Sequence, residues 1–291
     1  MIRSTIPVAT CIIFLITTAP GPFSVQAGSL PSPPPVPIPA HAPSPAPLDE
    51  LWSLAERRLA AQALARIGAE TVIDPAGVSE RRLLEALCRF QAQPRTATSL
   101  HAARDILLEL QHSADTPDPV AQMAEFFLAR YHEVALPAPD PAAARRAWHA
   151  LHEKRSGTLI GQLALARMVL LDLAAPPGRN GRLAAYAKCD GWDSRFTHPV
   201  SRRDYHMLMA LTGLRYEADP HSIIRHVGQA CATGLLRSRT RADLLLGGAT
   251  MAARAGKTEL AHEWRQRFIN ENPKDPRTVL VGKILSGEVS P

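Results

Sequence analysis

Apolar residues recur along this chain at steps of three and four, the spacing that gathers them on one side of a helix. After Asp140, the residues Ala144, Ala147, Trp148 and Leu151 form one stripe, and Leu159, Leu163, Ala166, Leu170 and Leu173 form the next. Ile223, Val227, Cys231 and Leu235 share a face after Asp219, and Leu260, Ala261, Trp264 and Phe268 mark another. No segment alternates apolar and polar positions between Asn-Gly or Asp-Gly turns, so strands are not expected. The pattern predicts helices over 49–67, 79–92, 97–112, 119–134, 141–154, 158–174, 181–189, 201–217, 220–235, 240–255, 258–271 and 275–286.

The punctuation between these stripes agrees with them. Asp-Pro recurs five times, at Asp74-Pro75, Asp118-Pro119, Asp140-Pro141, Asp219-Pro220 and Asp275-Pro276. An aspartate accepts hydrogen bonds from the free N–H groups of a first helical turn. Proline is tolerated at the first helical position because an N–H there would have no helical partner. Each dipeptide is therefore a candidate helix start. Pro137-Ala138-Pro139 and Pro176-Pro177-Gly178 are clean breaks, and short loops between amphipathic helices imply antiparallel neighbours. Lys188 to Ser201 is the least regular stretch and is expected to be a longer surface loop, which makes Cys189 the candidate for a disulfide or an exposed thiol.

The N-terminal residues change the picture of compartment. Arg3 precedes an apolar run from Ile6 to Ala19, and Val25-Gln26-Ala27 has the form of a cleavage site, so residues 1–27 are expected to be an export signal. The run is shorter than the roughly 20 residues of a membrane span, although an uncleaved anchor remains the alternative. Pro31 to Pro47 is dense in proline, and 28–47 is expected to be an extended linker. Residues 48–291 are long enough for a sizeable core. Cys88, Cys189 and Cys231 would survive cleavage, enough for one disulfide and one further thiol. The other reading of Cys88 and Cys231 is as small buried hydrophobes.

The formal charge is +6, carried mostly by arginine. With an export signal present, attraction to acidic partners or envelope polymers fits this charge better than nucleic-acid binding does. Arg-Arg pairs at 57–58, 81–82, 145–146 and 202–203 are spread over the chain, as exposed helix surface would be. Glu56, Glu80, Glu85 and Glu125 lie beside arginines on predicted helices and read as solvated faces. His149 and His152 have the one-turn spacing of helical metal ligands, but Trp148 and Leu151 already define a packing face there. His221 and His226 are five apart, on different faces of one helix. Gly178-Arg179-Asn180-Gly181-Arg182 has the glycines of an anion-cradling turn without a phosphate-loop ending, and reads first as a plain turn. No Gly-x-Ser-x-Gly is present. No catalytic residue, cofactor or metal site is assigned.

The stretch from Ala242 to Pro273 reads as a helix, a tight turn at Ala255-Gly256-Lys257, a second helix and a proline stop. It resembles a tetratricopeptide repeat, in which small residues let two helices approach and proline ends the unit. The matching positions are Leu245, Ala249, Ala252, Gly256, Ala261, Phe268 and Pro273; Arg265 stands where the family has an aromatic, with Trp264 one place earlier. The helix after Asp140 matches more loosely through Ala144, Trp148 and Leu151. The resemblance implies an all-α fold, an irregular α-α superhelix of degenerate hairpins, with an irregular helical domain as the alternative. It implies an exported protein–protein interaction module, an adaptor or scaffold in the periplasm or envelope. Asp243, Leu246 and Thr250 are its expected partner-binding residues, gripping a protein or peptide. An envelope enzyme acting on cell-wall polymer and a structural subunit of an envelope assembly are the competing classes.

Overall fold

The periodicity of the sequence becomes thirteen α-helices in the computed structural model, which describes residues 48–69, 75–135, 139–176, 178–234 and 236–286. Among these residues every regular element is helical and there is no strand. The expected signal at 1–27, the linker at 28–47 and the Asp74 helix start lie outside the described residues. Among the described residues no helix is long and apolar enough to cross a membrane. The chain divides between Ala124 and Glu125 into two compact units.

The first unit begins with α1 (Leu48–Glu56), α2 (Ala60–Ala69), α3 (Pro75–Gln91) and α4 (Ala97–His112). A single helix over 49–67 was the expectation, and it breaks into two. Leu51, Leu54 and Ala55 are buried, as are Ala60 and Ala63. The five-residue step from Ala55 to Ala60 would swing the second set about 140° off the first on a continuous helix, at about 100° per residue. The break realigns them. Leu59 N–H donates to Leu54 O (2.9 Å) and Arg58 N–H to Ala55 O (3.0 Å), with Arg58 at φ 62°, which is a Schellman ending without its usual glycine. Leu84 and Cys88 of α3 complete this core, and α3 packs along α4. Helix α5 (Asp118–Arg130) leads out of this unit and ends in a π-turn, Tyr131–Ala135.

The second unit continues with α6 (Pro141–Arg155), α7 (Leu159–Ala174), α8 (Gly178–Asp190), a 3-10 turn (Asp193–Arg195), α9 (Pro199–Tyr216), α10 (Pro220–Ala232), α11 (Ser238–Arg254), α12 (Thr258–Glu271) and α13 (Arg277–Leu285). Two of the Asp-Pro starts, Asp140-Pro141 and Asp219-Pro220, cap their helices as expected, whereas α5 already begins at Asp118 and Asp275 stands one residue outside the cap of α13. Asp140 Oδ1 accepts from Ala143 N–H (2.8 Å) and Asp219 Oδ2 from Ser222 N–H (2.8 Å), each with proline next. Asp275 Oδ1 accepts from Arg277 N–H (2.9 Å), where α13 begins.

Three antiparallel hairpins dominate this unit: α6 with α7, α9 with α10 and α11 with α12. They run from residue 141 to 174, 199 to 232 and 238 to 271, 34 residues in each case, and each turns in three residues. Packing follows chain order: α8 touches α7 and α9, α10 lies on α11, and α12 on α13. Helix α7 is buried on every side from Ile160 to Val169 because α6, α8 and α9 all pack on it. Its buried Gln162 remains satisfied: the amide nitrogen donates to Ser156 O (2.9 Å) and Arg195 O (3.2 Å), and its oxygen accepts from Thr197 N–H (2.8 Å). Fully burying a Leu or Phe contributes roughly 1.5–3 kcal/mol, so these shared faces outweigh intrinsic helix propensity in fixing the hairpins.

Candidate functional site

Each of the repeat-like positions of the last hairpin has a definite place. Leu245, Ala249, Ala252, Ala261 and Phe268 are buried, and Gly256 turns the chain at φ +74°. Lys257 N–H donates to Ala252 O (2.8 Å) and Gly256 N–H to Ala253 O (3.0 Å), the pair of bonds that ends α11. A Cβ on Gly248 would lie 2.4 Å from the Trp264 ring. The small residue is thus what lets α11 and α12 close on each other.

The residues expected to hold a partner lie on α11 at i, i+3 and i+7, which is one stripe. Asp243 and Thr250 are exposed and Leu246 is half-buried against the core. Asp243 is ion-paired with Arg277 of α13 (2.6 Å), and Thr250 Oγ1 donates to Leu246 O (3.0 Å). Arg277 also grips Asp275 (2.7 Å), holding that carboxyl down at about 2. The stripe is therefore a short polar and apolar surface whose acidic end is already neutralised.

A second constellation was not legible as a site. His206 of α9 and His226 of α10 face each other across their hairpin, 1% and 0% exposed, with Nδ1 to Nδ1 at 2.8 Å. His226 Nε2 meets Asp190 Oδ1 at 2.7 Å. His206 Nε2 is 3.0 Å from Asp193 Oδ1, off the direction its N–H would take. Ser222 Oγ donates to Asp190 Oδ1 (2.6 Å), and Arg225 Nη2 donates to the same oxygen (2.6 Å). Arg202 is paired with Asp193 (3.2 Å). The Tyr205 hydroxyl is 2.9 Å from both Cys189 O and Asp190 O. Although partial burial raises them, Asp190 is held below the usual carboxylate range by Ser222, His226 and Arg225, and Asp193 by Arg202 and His206. The sequence carried one signal for this cluster. Position 226 falls between Ile223 and Val227 on the buried face of α10, and 206 lies three and seven residues before Met209 and Gly213, so each is a polar residue within an apolar stripe.

Other sequence expectations change. The stretch from 188 to 201 is not a long surface loop, since α8 continues to Asp190 and a 3-10 turn follows. Cys189 is fully buried on α8, and burial pushes its thiol up to about 11. Cys88, Cys189 and Cys231 are all buried free thiols. Raising the thiol by about two pKa units lowers its thiolate fraction about a hundredfold. Native Cys189 is thus expected to react with a thiol-specific chromogenic reagent at least that much more slowly than in the denatured chain. A rapid native phase assigned to Cys189 by mass mapping would contradict its placement.

Gly178-Arg179-Asn180-Gly181-Arg182 is the first turn of α8 and not a separate turn. Its arginines are drawn to the end of α9: Arg179 donates to Tyr216 O (3.0 Å) and pairs with Glu217 (2.9 Å), and Arg182 donates to the Tyr216 hydroxyl (2.5 Å). Glu125 is not on a solvated face; it is buried between Lys154 and Arg155. Glu80 accepts from Trp52 Nε1 (2.8 Å) and Glu85 pairs with Arg89. Of the arginine pairs, Arg81 is buried and donates to Ile67 O (2.5 Å), while Arg82, Arg145, Arg202 and Arg203 are ion-paired with Glu109, Asp172, Asp193 and Asp204. His149 faces Glu153 (3.3 Å) and His152 faces Gly161 O (3.0 Å), so their nitrogens turn to separate partners. Among the described residues no cluster of His, Cys, Asp and Glu is arranged to hold a metal ion.

Compared with known protein families, curated proteins and solved structures, the chain matches none.

Proposed function

We propose that this chain is an exported protein–protein interaction module, an adaptor or scaffold of the periplasm or cell envelope, built as a degenerate tetratricopeptide-like superhelix. One observation carries the reading: three helix pairs of 34 residues, each with a three-residue turn. That extent is close to the tetratricopeptide unit, while the starts at residues 141, 199 and 238 are unevenly spaced, as in a degenerate array. Hairpins stacked in chain order bury one another's faces and leave the outward side of each first helix for a ligand. In the last hairpin that side carries Asp243, Leu246 and Thr250. The compartment rests on the signal-like N-terminus. The net charge of +6 favours an acidic partner.

The test is affinity capture from an envelope extract of the source organism, using the full chain and a Thr250→Arg variant of matched thermal stability. A protein bound by wild type and lost by at least about tenfold, roughly 1.4 kcal/mol, in the variant supports the α11 face as the binding surface. Equal capture by both forms removes that face from the reading. Capture of glycan alone turns the reading toward a polymer-binding or polymer-cleaving protein.

A further inference from the structure

We propose that His206 and His226 form a proton-operated latch, which holds the turn from Asp190 to Arg195 against α9 and α10 and releases it when the pair takes up a second proton in mild acid. An Nδ1 to Nδ1 contact of 2.8 Å needs one nitrogen to donate and the other to accept. Both rings cannot be imidazolium in this geometry, because two N–H groups would then point at each other.

His226 Nε2 meets Asp190 at the start of the turn, and His206 Nε2 lies 3.0 Å from Asp193 within it without hydrogen-bond alignment. Two neutral rings already supply the two aligned contacts, Nδ1 to Nδ1 and His226 Nε2 to Asp190, and one added proton places an N–H on His206 Nε2 beside Asp193. One more proton breaks the central contact and sets two cations together inside the hairpin. The latch therefore tolerates up to one proton and no more.

The surroundings set the direction of titration. Burial, then the neighbouring His226, then Arg202 and Arg225 hold His206 down at about 4, against the pull of Asp193. Burial and Arg225 lower His226, against Asp190 and Asp193. The remaining groups facing the pair are Ser222 and the hydroxyls of Tyr186 and Tyr205, which stay protonated because burial raises both phenols. From α7, Arg167 acts on Glu133 and Asp204 instead, and the buried face of α11 is apolar.

A free histidine titrates near 6.5. The released state therefore binds protons before the latched state does as pH falls. Stability of the latched turn is full above about pH 6.5 and is lost progressively toward pH 4. Asp190 and Asp193, held below the usual carboxylate range, contribute their own loss only below that window.

Hydrogen exchange on the full chain tests this. The amides of Trp192, Arg195 and Phe196 close the turn by bonding to Cys189 O, Trp192 O and Asp193 O. After correction for intrinsic rates, their opening is expected to rise about tenfold per pH unit between pH 6.5 and 4.5, while the amides of α12 keep their protection. His206→Gln is expected to flatten that dependence. If the variant does not fold, nitrogen NMR of ring-labelled wild type reads the same pair directly. The expected spectrum shows the second protonation of the pair displaced below pH 5 and coincident with turn opening. Two rings titrating independently near 6.5 without opening, or opening confined to below pH 4, would overturn the proposal. So would a folded His206→Gln that keeps the wild-type profile.

Discussion

Trp148→Ala is expected to lower the free energy of unfolding by about 3–5 kcal/mol, the range for truncating a large buried aromatic. Trp148 is fully buried at the centre of the α6–α7 hairpin, with Phe126 set edge-on at 5.0 Å between ring centroids. It also does polar work: its Nε1 donates to Glu133 Oε2 (3.0 Å). Glu133 is itself almost buried on the π-turn and is held by Arg130 (2.9 Å) and Arg167 (3.3 Å). Truncation thus opens a cavity and removes one donor from a buried carboxylate. Trp148→Phe separates the two effects. It retains most of the packing and loses only the hydrogen bond to a charged group, which costs about 1.5–3 kcal/mol. Urea unfolding followed by circular dichroism measures both, read as a shift in midpoint at unchanged slope. A loss below about 1 kcal/mol for the alanine variant would mean that this hairpin does not pack around Trp148.

Gly161→Ala comes second, with an expected loss of about 3 kcal/mol, at the upper end of overpacking effects. A Cβ on Gly161 would stand 2.0 Å from the carbonyl oxygen of Arg155 and 2.4 Å from its carbonyl carbon. Those atoms are backbone, so no rotamer change relieves the clash. The same residue closes the α6–α7 turn, its N–H donating to Thr158 Oγ1 (3.1 Å) and its oxygen facing His152. Gly157, in the turn itself, meets nothing within 4 Å of an added Cβ, so Gly157→Ala is the control expected to change stability by less than about 1 kcal/mol. Equal melting behaviour of the two variants would contradict the close approach of α7 to the end of α6.

The helices were legible because their signals are local. The three-and-four spacing of Ala144, Trp148 and Leu151, or of Ile223, Val227 and Cys231, needs no knowledge of what the stripe packs against. Asp140-Pro141 and Asp219-Pro220 cap their helices through atoms three residues away. The one missed break, at Arg57-Arg58-Leu59, lacks the glycine that gives such an ending away; Arg58 takes the left-handed conformation, and only the registry of buried faces reveals why.

Burial of polar groups was not legible, because it depends on which faces meet. Glu125, Arg81 and Cys189 have the sequence surroundings of exposed residues and are buried by helices that arrive from elsewhere in the chain. His206 and His226 stand twenty residues apart and become neighbours only when α9 and α10 pair. The sequence by itself determined the helical class and the approximate position of most helices, since periodicity and capping act within one or two turns. Tertiary packing alone decided which ionisable side chains share a dry interior and which remain on the surface, since desolvation and long-range charge pairing exist only once the faces have closed.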